Sequence, residues 1–309
     1  MGATEQIVVG VDGSPEADLA LRWAAARARH TGATLRLVHA YAVPLPVPAM
    51  PVAAVTAASI SPDDYVRAGE AILGAAAERA GRYADGVEVR TELRVGGAAQ
   101  ALIDAAPVGG LVVVGSRGLG GFSGLLLGSV GVQVSSHARC PTVVVRTEAS
   151  EGPVVVGVDG SEASDAALAF GFAEADRLGT GVLAVHAWGT PLPTGPGEAA
   201  ALALVPEEQR QAHLDASRQL LTDALAPHRG RFPDVPVQER LVEASAAPAL
   251  LDAVAEGAAL AVVGSRGHGG FAGLLLGSTS QALLHHAGCP VAITRQGQET
   301  STQPRSGSF

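Results

Sequence analysis

Two glycine-rich stretches hold the residues of this sequence best suited to chemistry. Residues 115–130 read GSRGLGGFSGLLLGSV, with six glycines in the first fourteen positions, and residues 264–279 read GSRGHGGFAGLLLGST. The first fifteen positions differ at only two. Glycine costs backbone entropy in a folded element, but it lets another group approach the main chain. Because N–H groups at the start of a helix bind anions, the stretches predict two phosphate-binding loops.

The spacing within these loops differs from that of two common phosphate-binding motifs. Both copies follow the pattern G-x2-G-x9-G-S, formed by Gly115, Gly118, Gly128 and Ser129 and by Gly264, Gly267, Gly277 and Ser278. All 21 basic residues are arginines, so the chain has no Walker loop, which requires GK[ST], and no lysine for Schiff-base chemistry. The dinucleotide motif GxGxxG follows the first strand of its domain, whereas these loops follow the fourth predicted strand.

The whole chain of 309 residues is a tandem repeat. IVVGVDGSPEADLAL at residues 7–21 matches VVVGVDGSEASDAAL at residues 154–168. A repeat of this length indicates two complete domains rather than a solenoid. We predict a first domain over residues 1–148, a second over residues 153–296 and a flexible tail over residues 297–309.

Each half alternates apolar, β-branched runs with helical patterns, which indicates an α/β fold with a parallel sheet. The predicted strands are 7–11, 35–41, 87–95, 111–115 and 142–146, then 154–158, 182–188, 235–242, 260–264 and 291–294. Ser14 is the expected cap of the first helix, with Pro15 at its first position and Gly32 at its end. Ser129 and Ser278 are the expected caps of the helices that follow the glycine loops.

Composition excludes several classes of protein. The chain is 47% apolar and 17% charged, which is typical of a globular protein. A net charge of −9 without a basic stripe argues against nucleic-acid binding. Prolines interrupt the uncharged residues 40–62, which argues against a membrane span. The start of the chain has no basic region typical of a signal peptide, and Cys140 and Cys289 suit buried positions in a reducing cytosol. We therefore expect a cytoplasmic protein.

Two long segments follow the second strand of each half. Residues 43–62 and 189–206 are rich in proline, alanine and glycine. They are either lids or linkers, or variable surface loops.

The glycine loops resemble those of the ATP-binding branch of the universal stress protein family, whose hallmark is G-x2-G-x9-G-[ST] after the fourth strand. The resemblance also covers VGVDGS near the start of each half, HA after the second strand and CPT or CPV before the last strand. It extends over residues 6–148 and 153–295, and tandem members of this kind are familiar in actinobacteria. Gly110 and Ala259 depart from the family, in which an acidic residue is common at this place.

The resemblance implies a Rossmann-like, adenine nucleotide-binding fold in each domain. This fold is a five-stranded parallel sheet of order 3-2-1-4-5 with helices on both faces. Ligands of such sheets bind beyond the carboxyl ends of the strands, where the strand order reverses. Asp12 is therefore expected beside Gly115, and Asp159 beside Gly264.

The resemblance also implies ten ATP-binding residues in each half. In the first half they are Gly10, Val11, Asp12, Ala40, Gly115, Arg117, Gly118, Gly128, Ser129 and Val130. In the second half they are Gly157, Val158, Asp159, Ala187, Gly264, Arg266, Gly267, Gly277, Ser278 and Thr279. The aspartates would contact the ribose or the Mg²⁺ bound to the nucleotide. The main chain at the two alanines would read the adenine edge, and the loop N–H groups and serine hydroxyls would hold the phosphates.

Some of these residues have a second interpretation. The aspartates of the two DGS sequences are also suited to an Asx turn or a helix cap. The loop glycines could serve only a backbone with positive φ. Arg117 and Arg266 either pair with phosphate or point to solvent.

The histidines of the repeat are interpreted as structural. His39 and His186 recur at matching positions, and a buried, hydrogen-bonded histidine is the favoured interpretation of both. His268 replaces Leu119 in the second loop, and we expect no role for this single exposed side chain.

Three functions remain open. The first is a cytoplasmic stress-response regulator or sensor that binds one adenine nucleotide per domain with Mg²⁺. The second is a slow ATPase or nucleotide hydrolase, and the third is a nucleotide-free dimerisation scaffold. Similar proteins pair through their last strands, which implies an intrachain pseudo-dimer of the two halves through residues 142–146 and 291–294. The expected partners also include a second copy of the chain and an unidentified protein, but no nucleic acid and no membrane.

Overall fold

The computed structural model describes residues 5–42, 61–106, 108–119, 127–148, 150–189, 206–267 and 276–295. The chain divides into two compact units, residues 1–146 and residues 147–309. Several predictions lie partly or wholly outside the described residues: the segments 43–62 and 189–206 except at their ends, His268, and the tail 297–309.

Strands and helices alternate along each unit. The first unit contains β1 (Gln6–Gly10), α1 (Pro15–Thr31), β2 (Thr34–Tyr41), α2 (Pro62–Tyr83), β3 (Val89–Val95), α3 (Ala98–Ala105), β4 (Leu111–Gly115), α4 (Ser129–His137) and β5 (Thr142–Val145). The second unit contains β6 (Val154–Gly157), α5 (Glu162–Leu178), β7 (Val182–Trp188), α6 (Glu207–Arg231), β8 (Val237–Glu243), α7 (Ala246–Ala255), β9 (Leu260–Gly264), α8 (Ser278–His286) and β10 (Val291–Thr294).

The strands of each unit form a parallel sheet with the predicted order. In the first unit β1 pairs with β2 and β4, β2 pairs with β3, and β4 pairs with β5, which gives the order 3-2-1-4-5. The second unit has the corresponding pairs among β6 to β10. The predicted fold class is confirmed in both halves.

Helices cover both faces of each sheet. In the first unit α1 packs with α2, and α3 packs with α4. Parallel crossovers are right-handed, and the direction of the winding reverses beside β1, so the two helix pairs lie on opposite faces. This reversal leaves a crevice at the carboxyl ends of β1 and β4.

The central strands are buried on both faces, as the apolar runs predicted. Ile7, Val8 and Val9 of β1 are fully buried, and Leu111 and Val112 of β4 are too. The third strand of each half is half-exposed instead, because it lies at the edge of its sheet.

The predicted starts of these two edge strands are early by two residues. Strand β3 begins at Val89 and β8 at Val237. The N–H of Val87 donates to the carbonyl of Ala84, and the N–H of Val235 donates to the carbonyl of Phe232. These residues therefore close the turn after the preceding helix and do not join the ladder.

Helix α1 has the predicted start and end. The hydroxyl of Ser14 accepts the N–H of Ala17 at 3.1 Å, and Pro15 is the first helical residue. Gly32 ends the helix in the left-handed conformation with φ of 70°. This cap fixes the first turn of α1 directly after Asp12, beside the end of β1.

The two cysteines are buried, as predicted. Cys140 and Cys289 are each 2% exposed, and neither forms a disulfide. Burial raises the pKa of both thiols to about 12. Both cysteines are therefore protonated and unreactive in the folded protein at neutral pH.

Candidate functional site

A cavity lies at the carboxyl ends of β1 and β4 in the first unit. It measures about 430 Å³, and all ten residues predicted for the first half line it. The second unit has a cavity of about 260 Å³ at the matching place, and all ten residues predicted for the second half line that one. The structure therefore brings each predicted set together around one cavity at the reversal of strand order.

Several lining residues were not predicted from the sequence. In the first cavity these include His39 from β2, Ile72 from α2 and Leu102 from α3. In the second cavity they include Ala246 and Leu250 from α7. Their spacing is that of ordinary core residues of amphipathic helices and strands, so no signal in the sequence separates them from the core.

The carboxylate of Asp12 joins two segments that are far apart in sequence. Its Oδ1 accepts the N–H of Ser14 at 2.9 Å, which is an Asx turn. Its Oδ2 accepts the N–H of Leu119 in the glycine loop at 2.8 Å. The turn interpretation is therefore confirmed, and the second oxygen holds the loop at the wall of the cavity.

Asp159 forms the same turn in the second unit. Its Oδ1 accepts the N–H of Ser161 at 3.0 Å and the hydroxyl of Ser161 at 2.6 Å. Both DGS sequences thus use one carboxylate oxygen to shape the entry into a helix.

Four of the motif glycines are required by contacts within the protein. A Cβ on Gly118 would overlap Oδ2 of Asp12, and a Cβ on Gly267 would overlap Oδ2 of Asp159. A Cβ on Gly115 would lie 2.6 Å from the carbonyl of Glu16, because the first turn of α1 packs directly on β4. Gly264 has the corresponding contact with the backbone of Ala163 at 3.0 Å.

Positive φ is not the reason for these glycines. Among the described residues of the two loops, no glycine has positive φ. The interpretation that the loop needs glycine for its backbone conformation is therefore wrong for the motif positions. Close approach of other atoms explains four of them instead.

The remaining motif glycines, Gly128 and Gly277, have no such contact. Their φ values are −77° and −71°, which any residue adopts. The atoms nearest to an added Cβ would lie at 3.4 Å and 3.6 Å, which leaves room for alanine. Nothing in the described protein itself requires glycine at either position.

The predicted serine caps are wrong. Gly128 and Gly277 are the N-caps, and Ser129 and Ser278 are the first helical residues. Neither helix has a side-chain cap, because a glycine at this position has no oxygen to offer. The N–H of Gly128 donates to the carbonyl of Ser116 at 2.7 Å. Among the described residues, no side chain therefore accepts the N–H groups of the first turn at the wall of each cavity.

The loop arginines differ between the units. Nη2 of Arg117 lies 2.8 Å from Oε1 of Glu16. The position that matches Glu16 is Ala163 in the second unit. Arg266 has no acidic group within ion-pair distance in the part of the chain that the structure describes. The prediction that an arginine is available to phosphate therefore suits the second loop better than the first.

A second arginine lies near each loop. The pKa of Arg146 is lowered by burial and then by the charge of Arg117. The pKa of Arg295 is lowered by burial and then by the charge of Arg266. Each cavity is therefore close to two guanidinium groups.

Comparison with known protein families covers almost the whole chain. The profile of the universal stress protein family matches residues 4–146 and again residues 152–295. The chain belongs to the universal stress protein family. This match confirms the family and the tandem arrangement that the two glycine loops indicated.

Relatives of this universal stress protein share its full length. One from Mycolicibacterium smegmatis is 39% identical over 303 residues, which cover 95% of this chain and 98% of the relative. One from Mycobacterium tuberculosis is 34% identical over 304 residues, which cover 94% of this chain and 96% of the relative. The crystal structure of a universal stress protein from Archaeoglobus fulgidus aligns with a TM-score of 0.66 at 17% identity, covering 96% of this chain and 100% of the other. That last similarity shows the fold.

The histidines of this universal stress protein have structural hydrogen bonds. Nδ1 of His39 lies 2.7 Å from the carbonyl oxygen of Val11, and Nδ1 of His186 lies 2.7 Å from that of Val158. Because a carbonyl only accepts, Nδ1 carries the proton in both rings. His186 is buried as expected, whereas His39 is half-exposed and lines its cavity. Both rings hold the second strand to the residue before the DGS aspartate.

The part of the chain that the structure describes contains no group of three or more His, Cys, Asp or Glu side chains arranged to hold a metal ion. Within the same ranges, no helix is long and apolar enough to cross a membrane.

Proposed function

We propose that this universal stress protein is a cytoplasmic regulator or sensor of the stress response that binds one adenine nucleotide in each half, as ATP with Mg²⁺. The observation that supports this most strongly is the start of α4 and of α8. Each helix begins at a glycine that the protein itself does not require, without a side-chain cap, at the wall of a cavity.

Phosphate groups suit this arrangement for two reasons. The N–H groups of a first helical turn carry partial positive charge and point along the helix axis, so they favour an anion. Gly128 and Gly277 leave space for that anion to lie against the main chain. The hydroxyls of Ser129 and Ser278 line the same cavities and would donate further hydrogen bonds.

The other end of the first cavity suits a nucleoside. Val38, Ile72 and Leu102 supply apolar surface, and Ala40, one residue before the end of β2, lines the same cavity. A volume of about 430 Å³ lies in the range of small-ligand sites. Asp12 lines the same cavity and accepts the N–H of Leu119 in the loop, so its carboxylate would face the ribose or the Mg²⁺ that accompanies the phosphates.

The side chains around the first cavity support binding more than hydrolysis. Asp12 is the one carboxylate among its described lining residues, and both of its oxygens already accept N–H groups. Rapid phosphoryl transfer needs a group that orients the attacking water. We therefore propose that binding of ATP shifts a conformational or partner equilibrium.

Released nucleotide tests this proposal directly. The purified chain would be heat-denatured, and the nucleotide in the supernatant identified and counted by chromatography, with added ATP supplied in a parallel dialysis. We expect an adenine nucleotide approaching two per chain. The Gly128→Ala/Gly277→Ala variant should lose it, because the added methyl groups would occupy the place of phosphate.

The choice of variant makes this test specific. Alanine at these two positions fits the protein, whereas alanine at Gly118 or Gly267 would overlap an aspartate and disturb the loop without any ligand. Gly74→Ala on α2, where an added Cβ meets nothing within 4 Å, is the matched control and should keep its nucleotide. Absence of bound nucleotide together with no uptake of ATP would leave the scaffold function. A predominance of ADP would favour slow hydrolysis.

A further inference from the structure

The two glycine loops are nearly identical, but the residue that faces the loop arginine differs. Glu16 stands at the second position of α1, and Ala163 stands at the matching position of α5. The rest of this first turn is similar in both units, including the serine cap and the close packing of its backbone on the motif glycine. The change from carboxylate to methyl is therefore a local difference in charge.

In the first unit the carboxylate neutralises the loop arginine. Nη2 of Arg117 and Oε1 of Glu16 are 2.8 Å apart, and the side chain of Glu16 is only 21% exposed. The backbone of Glu16 packs against Gly115, which fixes this position beside the strand that leads into the loop, and the ion pair with Arg117 holds the carboxylate there. An anion in this cavity would meet a guanidinium that already has a counter-charge.

In the second unit the loop arginine keeps its charge available. Arg266 lines the cavity, and no described acidic side chain lies within ion-pair distance of it. Glu162 and Asp165 are the acidic residues of the same first turn. Glu162 occupies the position that matches Pro15 and is exposed, and Asp165 lies 2.9 Å from Nε2 of His228. Neither carboxylate forms an ion pair with Arg266 among the described side chains. Arg295 lies near Arg266 as Arg146 lies near Arg117, so this second arginine is common to both sites and the difference rests on positions 16 and 163.

We propose that Glu16 makes the two sites unequal, so that the second half binds nucleoside triphosphates more tightly than the first half does. This inference rests on the proposed nucleotide binding. At the first site a polyphosphate must share Arg117 with Glu16 and is also repelled by the carboxylate. The penalty grows with the number of phosphate charges, so the first site discriminates less between a triphosphate and a monophosphate. Glu16 is thus a residue that sets ligand preference without being part of the cavity wall.

A reciprocal pair of substitutions tests the inference in the full chain. Equilibrium dialysis or calorimetry with ATP, and separately with AMP, would resolve two classes of site. Glu16→Gln keeps the size of the side chain but removes its charge, and it should tighten the weaker ATP class about tenfold. Ala163→Glu copies the first site into the second, and it should weaken the tighter ATP class about tenfold. AMP affinity should change about threefold or less in both variants.

The result for Glu16→Gln is a gain of affinity, which misfolding does not produce. Equal affinity of both wild-type sites for ATP, with no change in Glu16→Gln, would overturn the inference while leaving nucleotide binding intact. If Glu16→Gln increased the affinity for AMP as much as the affinity for ATP, that result would overturn the inference too. The effect would then come from the space available to the ligand and not from the charge of the carboxylate. Failure of the wild-type chain to bind either nucleotide would overturn the proposed function and this inference with it.

Discussion

The two halves of this protein have nearly identical glycine loops, but the size of the cavity and the side chains around each loop differ. The first cavity measures about 430 Å³ and the second about 260 Å³. An added Cβ on Gly13 would lie 4.0 Å from Cγ1 of Ile72. An added Cβ on Gly160, the matching glycine of the second unit, would lie only 3.0 Å from Cδ1 of Leu220. The side chain of Leu220 therefore lies closer to the DGS turn of the second unit than the side chain of Ile72 does to that of the first.

This comparison separates the shared function of the halves from their individual properties. The contacts of the motif glycines with the aspartates and with the first helical turn recur in both units. The neighbouring side chains at positions 16 and 163, and those of the second helices, do not. The loop would then determine that each half binds a phosphate-containing ligand. The side chains packed around the loop would determine which of these ligands each half binds more tightly.

The largest effect is expected at the glycine that ends β4. Gly115→Ala would place a methyl 2.6 Å from the carbonyl of Glu16, so we expect it to lower the free energy of unfolding of the first half by about 3 kcal/mol. Gly264→Ala meets the backbone of Ala163 at 3.0 Å and should cost about 2 kcal/mol. Denaturant unfolding of each variant measures both. A Gly115→Ala variant as stable as the Gly74→Ala control would contradict the tight packing of α1 on β4.

A comparison of the loop arginines comes next. Arg266→Gln should weaken ATP binding at the second site about tenfold, because that guanidinium lacks a described carboxylate partner. The Glu16→Gln/Arg117→Gln double variant removes the pair without leaving an unpaired carboxylate, and it should weaken binding at the first site only about threefold, since Glu16 already neutralises Arg117 in the wild-type chain. Site-resolved dialysis distinguishes the two. A larger loss from the double variant than from Arg266→Gln would reverse the assignment of the stronger site.

The buried thiols should behave alike in both halves. The pKa of each cysteine is about 12 in the folded state against an ordinary value of 9.0, so the unfolded thiol ionises first as the pH rises. Stability from this difference is fully present below pH 9 and is lost between pH 9 and pH 12. At pH 10 we expect a loss on the order of 1 kcal/mol for each cysteine.

Chemical unfolding at pH 8 and pH 10 measures that loss. Cys140→Ala and Cys289→Ala should each remove the part of the loss of unfolding free energy that comes from that cysteine, and the two parts should be equal. Unequal parts would show that the asymmetry of the halves extends from the sites into the cores.

The smallest effect is expected for Glu16→Gln on stability. An ion pair with a half-exposed arginine and a carboxylate in a first helical turn contributes less than about 1 kcal/mol. The midpoint of thermal unfolding should shift by no more than a few degrees. A large drop would mean that Glu16 holds the fold, and its effect on ligands would then be secondary.

Much of the fold was predictable because its signals are local. The cap at Ser14, the left-handed Gly32 and the buried valine runs each depend on neighbours in sequence, and the structure has all of them. The strand order was predicted from the resemblance to the family, and the spacing of the loop glycines was the main sign of that resemblance. The serine caps at 129 and 278 were wrong because a serine one residue after a glycine has the same local pattern as a cap.

The site was predictable as a set of residues but not as a set of contacts. Arg117 and Glu16 are 101 residues apart in sequence, and the Leu119 N–H and Asp12 are 107 residues apart. Such pairs depend on how helices dock on the sheet, which no motif encodes. For the same reason Gly115, predicted as a ligand contact, also proved to be the point where a helix backbone touches a strand.

The packing of the first helical turn on β4 has a consequence for how the repeat evolves. That contact involves backbone atoms and, in the second unit, the Cβ that alanine and glutamate have in common. The side chain beyond Cβ at positions 16 and 163 is therefore free to vary while the fold stays the same. Codons for glutamate and alanine differ by a single base. After the duplication, a single base change is therefore enough to make the charge at these two positions equal or different. Tandem chains of this kind can gain or lose the difference between their two sites without any change of fold.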